Sequence, residues 1–191
     1  VSDETSCKAM AAQTIEAFGR IDILVNNAAL FGHLDAKPFE EISVDEWDAL
    51  MAVNVRGVFV AIKSVTGQMR KQQYGKIINI ASGTLFKGTP MLLHYVTSKG
   101  AVLAMTRCIS REVGDDNICV NTLAPGLVMS ENVLARDTFS DAGVDANTET
   151  RALKRRQMPE DLTGAMIFLA SADSDFMTGQ CVVVDGGSVN N

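Results

Sequence analysis

Ser82, Tyr95 and Lys99 are the side chains whose types and spacing could do chemistry together. Tyr95 and Lys99 are i and i+4, so on a helix they share a face. A free phenol titrates near ~10 and a free lysine near ~10.4. An ammonium held beside the phenol favours phenolate, so the expected direction for Tyr95 is downward. A fall of ~3 units takes roughly 4 kcal/mol of differential interaction. A phenol tuned in this way can trade a proton with an alcohol or ketone oxygen near neutral pH. Ser82 would hydrogen-bond the same oxygen and hold it in line. Such a site needs no histidine, cysteine or metal.

The elements around these residues are the ones that would bring them together. Residues 77–80 are apolar and rich in β-branched types, and Ala81-Ser82-Gly83 ends the run, which predicts a buried strand opening into a loop. Residues 93–113 have helical patterning and carry Tyr95 and Lys99.

Upstream, Ser2 or Asp3 is a candidate N-cap for a helix to about Phe18, ended by Gly19. Residues 21–25 are an apolar strand with only Asp22 polar, as expected of a parallel strand covered on both faces. Asn26-Asn27-Ala28-Ala29 turns out of it; the plain alternative for Asn26 is a turn residue. Residues 30–42 read as a loop marked by Pro38. Ser43 and Glu46 form a capping box opening a helix to about Arg70, with a break in it allowed. Asn54, between Val53 and Val55, is a poor helix former in an apolar stripe and must find a partner if buried; a cap or kink would also account for it. Residues 84–93 read as an apolar loop overhanging Ser82, with Leu85, Phe86, Met91 and Leu92. Residues 116–124 contain a further buried strand, ended by Pro125-Gly126. Residues 129–158 are the least regular, mixing polar residues with Val133, Leu134, Phe139 and Leu153. Pro159 starts a helix with Leu162, Ala165, Met166 and Leu169 on one face. Residues 181–184 are a last strand, followed by Asp185-Gly186-Gly187.

Taken together, these motifs resemble the classical short-chain dehydrogenases/reductases, in that family's order and at its spacings, from about Asp3 to the C terminus. The Tyr-x-x-x-Lys pair alone is a weak signal; the full set is a strong one. Ala29 departs mildly from the family's usual glycine. The resemblance implies a Rossmann-like α/β fold, a doubly wound parallel sheet with helices on both faces. It also implies NAD or NADP as cofactor and a small-molecule alcohol or ketone as substrate. Tyr95 would be the acid/base, Lys99 would lower its pKa and hold the nicotinamide ribose, and Ser82 would orient the substrate oxygen. Asn54 would hold a water in a proton relay. The turn with Asn26, Ala28 and Ala29 would close over the adenosine half of the cofactor and tie neighbouring strands. Pro125, Gly126, Leu127 and Val128 would contact the nicotinamide, and Ser130 its carboxamide or the pyrophosphate. About 127–158 would be a mobile substrate lid on a single, partial, dinucleotide-binding catalytic domain spanning 1–191. A homo-oligomer, dimer or tetramer, is implied as well. The apolar residues near the site suggest a medium-sized, hydrophobic secondary alcohol or ketone. Dehydrogenases of aryl or alicyclic alcohols and 3-oxoacyl-carrier-protein reductases are both similar, which leaves the substrate open.

Composition agrees with a globular enzyme. The 191 residues are 47% hydrophobic and 21% charged, enough for one domain with a sizeable core. A net charge of −6 disfavours attraction to nucleic acid or anionic membrane. Lys154-Arg155-Arg156 reads as a solvated basic run. No 18-residue apolar run is apparent and no signal peptide, so the chain reads as soluble. Cys7, Cys108, Cys119 and Cys181 are scattered, as expected of small buried thiols in a reducing compartment such as the cytoplasm. His33 and His94 are too few and too far apart for a metal centre.

One expected feature is missing. A dinucleotide fold opens with a strand, a Gly-rich turn and a helix whose N-terminus takes the pyrophosphate, and no Gly-x-x-x-Gly-x-Gly turn follows a strand here. Two βα units and a strand, on the order of 60 residues, would precede Val1 in a longer protein, including the residues that choose NAD or NADP. The strand at 21–25 would then be an exposed apolar edge, and the chain alone is expected to bind dinucleotide poorly; micromolar affinity would refute that. A truncated, cofactor-less homologue acting as a scaffold is the alternative, disfavoured by the intact Ser/Asn/Tyr/Lys set. An epimerase or dehydratase of the extended branch is disfavoured by Asn26-Asn27-Ala28-Ala29 and Asp185-Gly186-Gly187.

Overall fold

The computed structural model describes residues 1–32, 34–134 and 141–189; His33 and Phe139, named above, lie outside the described residues. Helix α1 (Glu4–Phe18) is capped by Asp3, whose carboxylate accepts from the Ser6 N–H at 2.7 Å. It stops at Gly19, which at φ 75° takes the left-handed conformation that side chains disfavour. Strand β1 (Ile23–Asn26) follows. The expected loop then contains a 3-10 turn at Phe39–Glu41.

Helix α2 (Val44–Met51) starts at Ser43, whose Oγ accepts from the Glu46 N–H at 3.1 Å. Instead of completing the capping box, the Glu46 carboxylate binds Lys37 Nζ at 2.9 Å and stands 3.3 Å from His94 Nε2. A π-helical turn at Ala52–Arg56 leads into α3 (Gly57–Gln72), so the permitted break is a widened turn and the helix continues through it. Then come β2 (Gly75–Ile80), the short α4 (Thr84–Lys87) within the expected loop, α5 (Leu93–Glu112) and β3 (Ile118–Pro125). Helices α6 (Glu131–Leu134) and α7 (Asp141–Glu149) precede a 3-10 turn at Pro159–Leu162 that runs into α8 (Thr163–Ala170) and β4 (Cys181–Val184).

The four strands form one parallel sheet in the order β1-β2-β3-β4, with Ile78 opposite Val25 on one side and Asn121 on the other. Alternation along each strand sends side chains to two faces. Ile77 and Val120 pack beneath α1, α3 and α5 with Val58, Ile62, Val65, Met69 and Val102. Ile78 and Leu123 pack against Leu169 of α8. Fully burying side chains of this size contributes roughly 1.5–3 kcal/mol each.

Two expectations are corrected. The strand at 21–25 was read as covered on both faces, but Ile23 and Val25 of β1 are 45% and 41% exposed, because α8 lies over β2 and β3 and not over β1. The helical run Val44–Gln72 is, by length and composition, apolar enough to cross a membrane, contrary to the reading that no such stretch exists. Its apolar residues Val58, Ile62, Val65 and Met69 are buried in the core beneath the sheet. The cysteines are free thiols, with Cys7 and Cys119 buried as expected but Cys108 exposed.

Candidate active site

Parallel strands carry their loops away from their C-terminal ends, and the crevice left there is where open α/β sheets bind ligands. In this protein the crevice is anchored by two backbone bonds, Ala81 N–H to Leu123 O and Gly83 N–H to Pro125 O, each 2.8 Å. These hold the loop after β2 against the end of β3 and fix Ser82 between them. Helix α5 then brings up Tyr95 and Lys99. All three side chains are buried and line one cavity of about 730 Å³. Ala28, Ala29, Pro125, Gly126, Val128 and Ser130 line it too.

The electrostatics differ from expectation. Burial pushes Tyr95 up to about 12, with a hydrogen bond to Ser82 working against it. The predicted downward shift by Lys99 is not what this structure gives. The Lys99 ammonium donates to the Ile80 carbonyl at 2.8 Å and lies 5.6 Å from the centre of the Tyr95 ring. Desolvation of the phenolate outweighs any help from that position. The same burial lowers Lys99 to about 8. Near neutral pH the site therefore holds a neutral phenol beside a mostly protonated amine. Ser82 Oγ also accepts from the Thr84 hydroxyl at 3.0 Å. Phe31 stacks on Tyr95 with ring centres 4.8 Å apart.

Asn54 lies behind the cavity wall in the π-helical turn, 1% exposed. Its carbonyl oxygen accepts from Leu30 N–H at 2.7 Å, and its amide donates to Leu30 O and Ser98 Oγ, each at 3.2 Å. Ser98 Oγ in turn donates to Tyr95 O at 2.7 Å. The buried amide thus ties the segment after Ala29 to the turn of α5 that carries Tyr95. Asn26 is not among the cavity residues; its amide donates to Asn79 Oδ1 at 2.8 Å and links β1 to β2. Asn79 continues to Thr106 at 2.9 Å, and Thr122 joins Thr106 at 2.8 Å. This polar ladder was missed in the sequence. Its one signal was a run of strand residues interrupted by Asn79, Asn121 and Thr122.

Gly126 shows how closely the turn after β3 is packed. A Cβ there would stand 2.8 Å from Gln157 Oε1 and 3.0 Å from Asp185 Cβ. Gln157 Oε1 is buried without a hydrogen-bond partner. Such a bare backbone wall, next to Tyr95 and Lys99, fits the nicotinamide and its ribose. Arg151, also missed, is 3% exposed; its guanidinium donates to Leu127 O at 2.8 Å, Arg155 O at 2.9 Å and Asn147 Oδ1 at 3.1 Å. Asp185 accepts from the Gly187, Ser188 and Val189 N–H groups, each at 3.0 Å. Met129, Val133 and Val144 pack with Phe31 and Leu127, so segment 127–158 closes on the Tyr95 side. Of the apolar residues expected over Ser82, Leu92 lines the cavity, while Leu85 and Phe86 do not, because α4 turns them away.

Residues 1–189 match a family model described as enoyl-(acyl carrier protein) reductase. A short-chain dehydrogenase/reductase, eriH, from Hericium erinaceus is 36% identical over 191 residues, covering 100% of this chain and 74% of that protein. A 2-dehydro-3-deoxy-D-gluconate 5-dehydrogenase from Dickeya dadantii is 37% identical, covering 98% and 73%. A gluconate 5-dehydrogenase from Burkholderia cenocepacia, solved with NADP and tartrate, superposes with a TM-score of 0.90 at 35% identity, covering 98% of this chain and 72% of that one.

Proposed function

This chain belongs to the short-chain dehydrogenase/reductase family of oxidoreductases, and we propose that it moves a hydride between NAD or NADP and a medium-sized, largely hydrophobic secondary alcohol or ketone. The observation that carries this reading is the convergence of Ser82, Tyr95 and Lys99, all buried, on one cavity. Bound nicotinamide supplies or accepts the hydride; the protein supplies orientation and electrostatics. Lys99 and Tyr95 would hold the nicotinamide ribose, with Pro125, Gly126, Val128 and Ser130 along the ring and its carboxamide. Ala28 and Ala29 would lie towards the adenosine half, with Asn26 behind them.

In the reducing direction, the neutral Tyr95 phenol gives its proton to the substrate oxygen as that oxygen gains charge, while the Ser82 hydroxyl keeps it in line. The Lys99 ammonium stabilises the phenolate left behind. A water beside Asn54 would return the proton from solvent. Segment 127–158 acts as the lid of a single catalytic domain and excludes water when closed. The enzyme works in the cytoplasm as a homodimer or homotetramer.

Two relatives named for 5-dehydrogenase reactions support hydroxyl–carbonyl interconversion, and a non-catalytic scaffold is not favoured. The test is Tyr95→Phe, assayed by nicotinamide absorbance. Turnover should fall ~10²–10⁴-fold, the usual share of a general acid/base, with the circular dichroism spectrum and unfolding midpoint retained. A variant that keeps its activity overturns the assignment.

A further inference from the structure

The cavity that holds Ser82 and Tyr95 is bordered by more positive charge than hydride transfer needs. Besides Lys99, it is lined by Lys87 and Arg151, in a protein whose net charge is −6. The carboxylate among its described lining residues is Asp185, and three backbone N–H groups already occupy its oxygens. Lys87 has no carboxylate within ion-pairing reach among the described residues. It sits at the end of α4, beyond Ser82, where its ammonium donates to the hydroxyls of Thr150, at 3.1 Å, and Ser188. An ammonium has three protons to give, so one remains.

Thr150 is next to Arg151, and Asn147, one turn earlier, accepts from both: its backbone carbonyl from Thr150 Oγ1 at 2.7 Å and its side-chain carbonyl from Arg151 at 3.1 Å. Arg151 is nearly fully buried, makes its printed bonds to neutral oxygens only, and keeps a buried Nε without a partner. A buried charge met only by neutral partners is costly unless an opposite charge comes close. The rest of the wall, including Leu92, Leu127, Val133, Leu162 and Met166, is apolar.

We propose that the substrate carries a carboxylate at the end away from its reacting carbon, received by the Lys87 ammonium in the positive field of Arg151. The inference rests on the oxidoreductase reading above and narrows it: the substrate is amphipathic, with an apolar body and an anionic end. Hydrogen bonds to ionised partners are the strong class, and this one would be shielded from water on the apolar side.

The test uses a series of linear keto acids of increasing chain length, each beside its methyl ester. Binding to the protein is measured by calorimetry with and without NADP, and turnover by nicotinamide absorbance. The acid of matching length should bind ~10-fold tighter than its ester. Lys87→Met should remove that preference and Lys87→Arg should keep it. Tyr95→Phe should retain the preference while losing turnover. Acids and esters that bind alike, failure of both to bind, or a preference unchanged in Lys87→Met would each overturn the proposal. An acid that binds through Lys87 but is never reduced would instead refute the oxidoreductase reading and leave the carboxylate site standing.

Discussion

Replacing Lys99 by Met should change how stability depends on pH, and the structure gives both the sign and the size. Burial lowers the amine from 10.5 to about 8 in the folded protein, whereas in the unfolded chain it titrates near ~10.4. Below pH 8 both states hold the proton, and the folded state bears the full cost of an ammonium that is 4% exposed. As pH rises through 8 the folded protein releases that proton while the unfolded chain keeps it. Stability therefore rises with pH between about 8 and 10.4 and gains nothing further from Lys99 above that. At ~1.36 kcal/mol per unit, the fall from 10.5 to about 8 is worth roughly 3 kcal/mol. Tyr95, raised to about 12, acts in the opposite sense: its contribution is present below pH 10 and is lost between 10 and 12. It is common to both proteins and cancels in their difference. The Ile80 carbonyl, left without its donor in the Met variant, adds a pH-independent offset of roughly 1–3 kcal/mol. Urea unfolding of both proteins, followed by circular dichroism from pH 7 to 10.5, measures the difference. Wild type should gain roughly 3 kcal/mol on the variant across that range. A flat or falling difference curve would refute the burial argument.

Asn54→Ala removes three hydrogen bonds from a buried site and leaves Leu30 N–H without its acceptor; at about 1 kcal/mol per bond, unfolding free energy should drop by roughly 3 kcal/mol. Hydrogen exchange should rise at Leu30 first, and protection unchanged there would show that the amide is not the tie. Gly126→Ala places a Cβ 2.8 Å from Gln157 Oε1; overpacking of this kind costs about 1–3 kcal/mol. Dinucleotide affinity should weaken along with the unfolding midpoint, and unaltered affinity would remove this turn from the cofactor wall.

The strands and the long helices were legible because their signals are local. Residues 77–80 and 181–184 are short β-branched runs, and Asp3 and Gly19 punctuate α1 as their side chains require. The Ser82, Tyr95 and Lys99 grouping could be read because two of the three share a helix face and the third ends a strand. What escaped depends on contacts far along the chain. Arg151 is bound to Leu127 and Asn147, and nothing in a polar stretch marks one arginine as buried. The direction of the Tyr95 shift was misread because spacing reveals a neighbouring charge but not the depth at which the phenol lies. Glu46 had the sequence of a cap partner, yet Lys37 and His94 claim its carboxylate.

The widened turn at Ala52–Arg56 sets the angular phase of everything after it. An α-helix advances ~100° per residue, and a π turn accommodates one extra residue without ending the helix. Excising a single residue from this turn would restore a uniform spiral and swing Val58, Ile62, Val65 and Met69 by about that angle, off the sheet they now pack beneath. The same excision would carry Asn54 out of reach of Leu30. One surplus residue therefore keeps the core stripe and the amide facing their separate targets on one continuous rod.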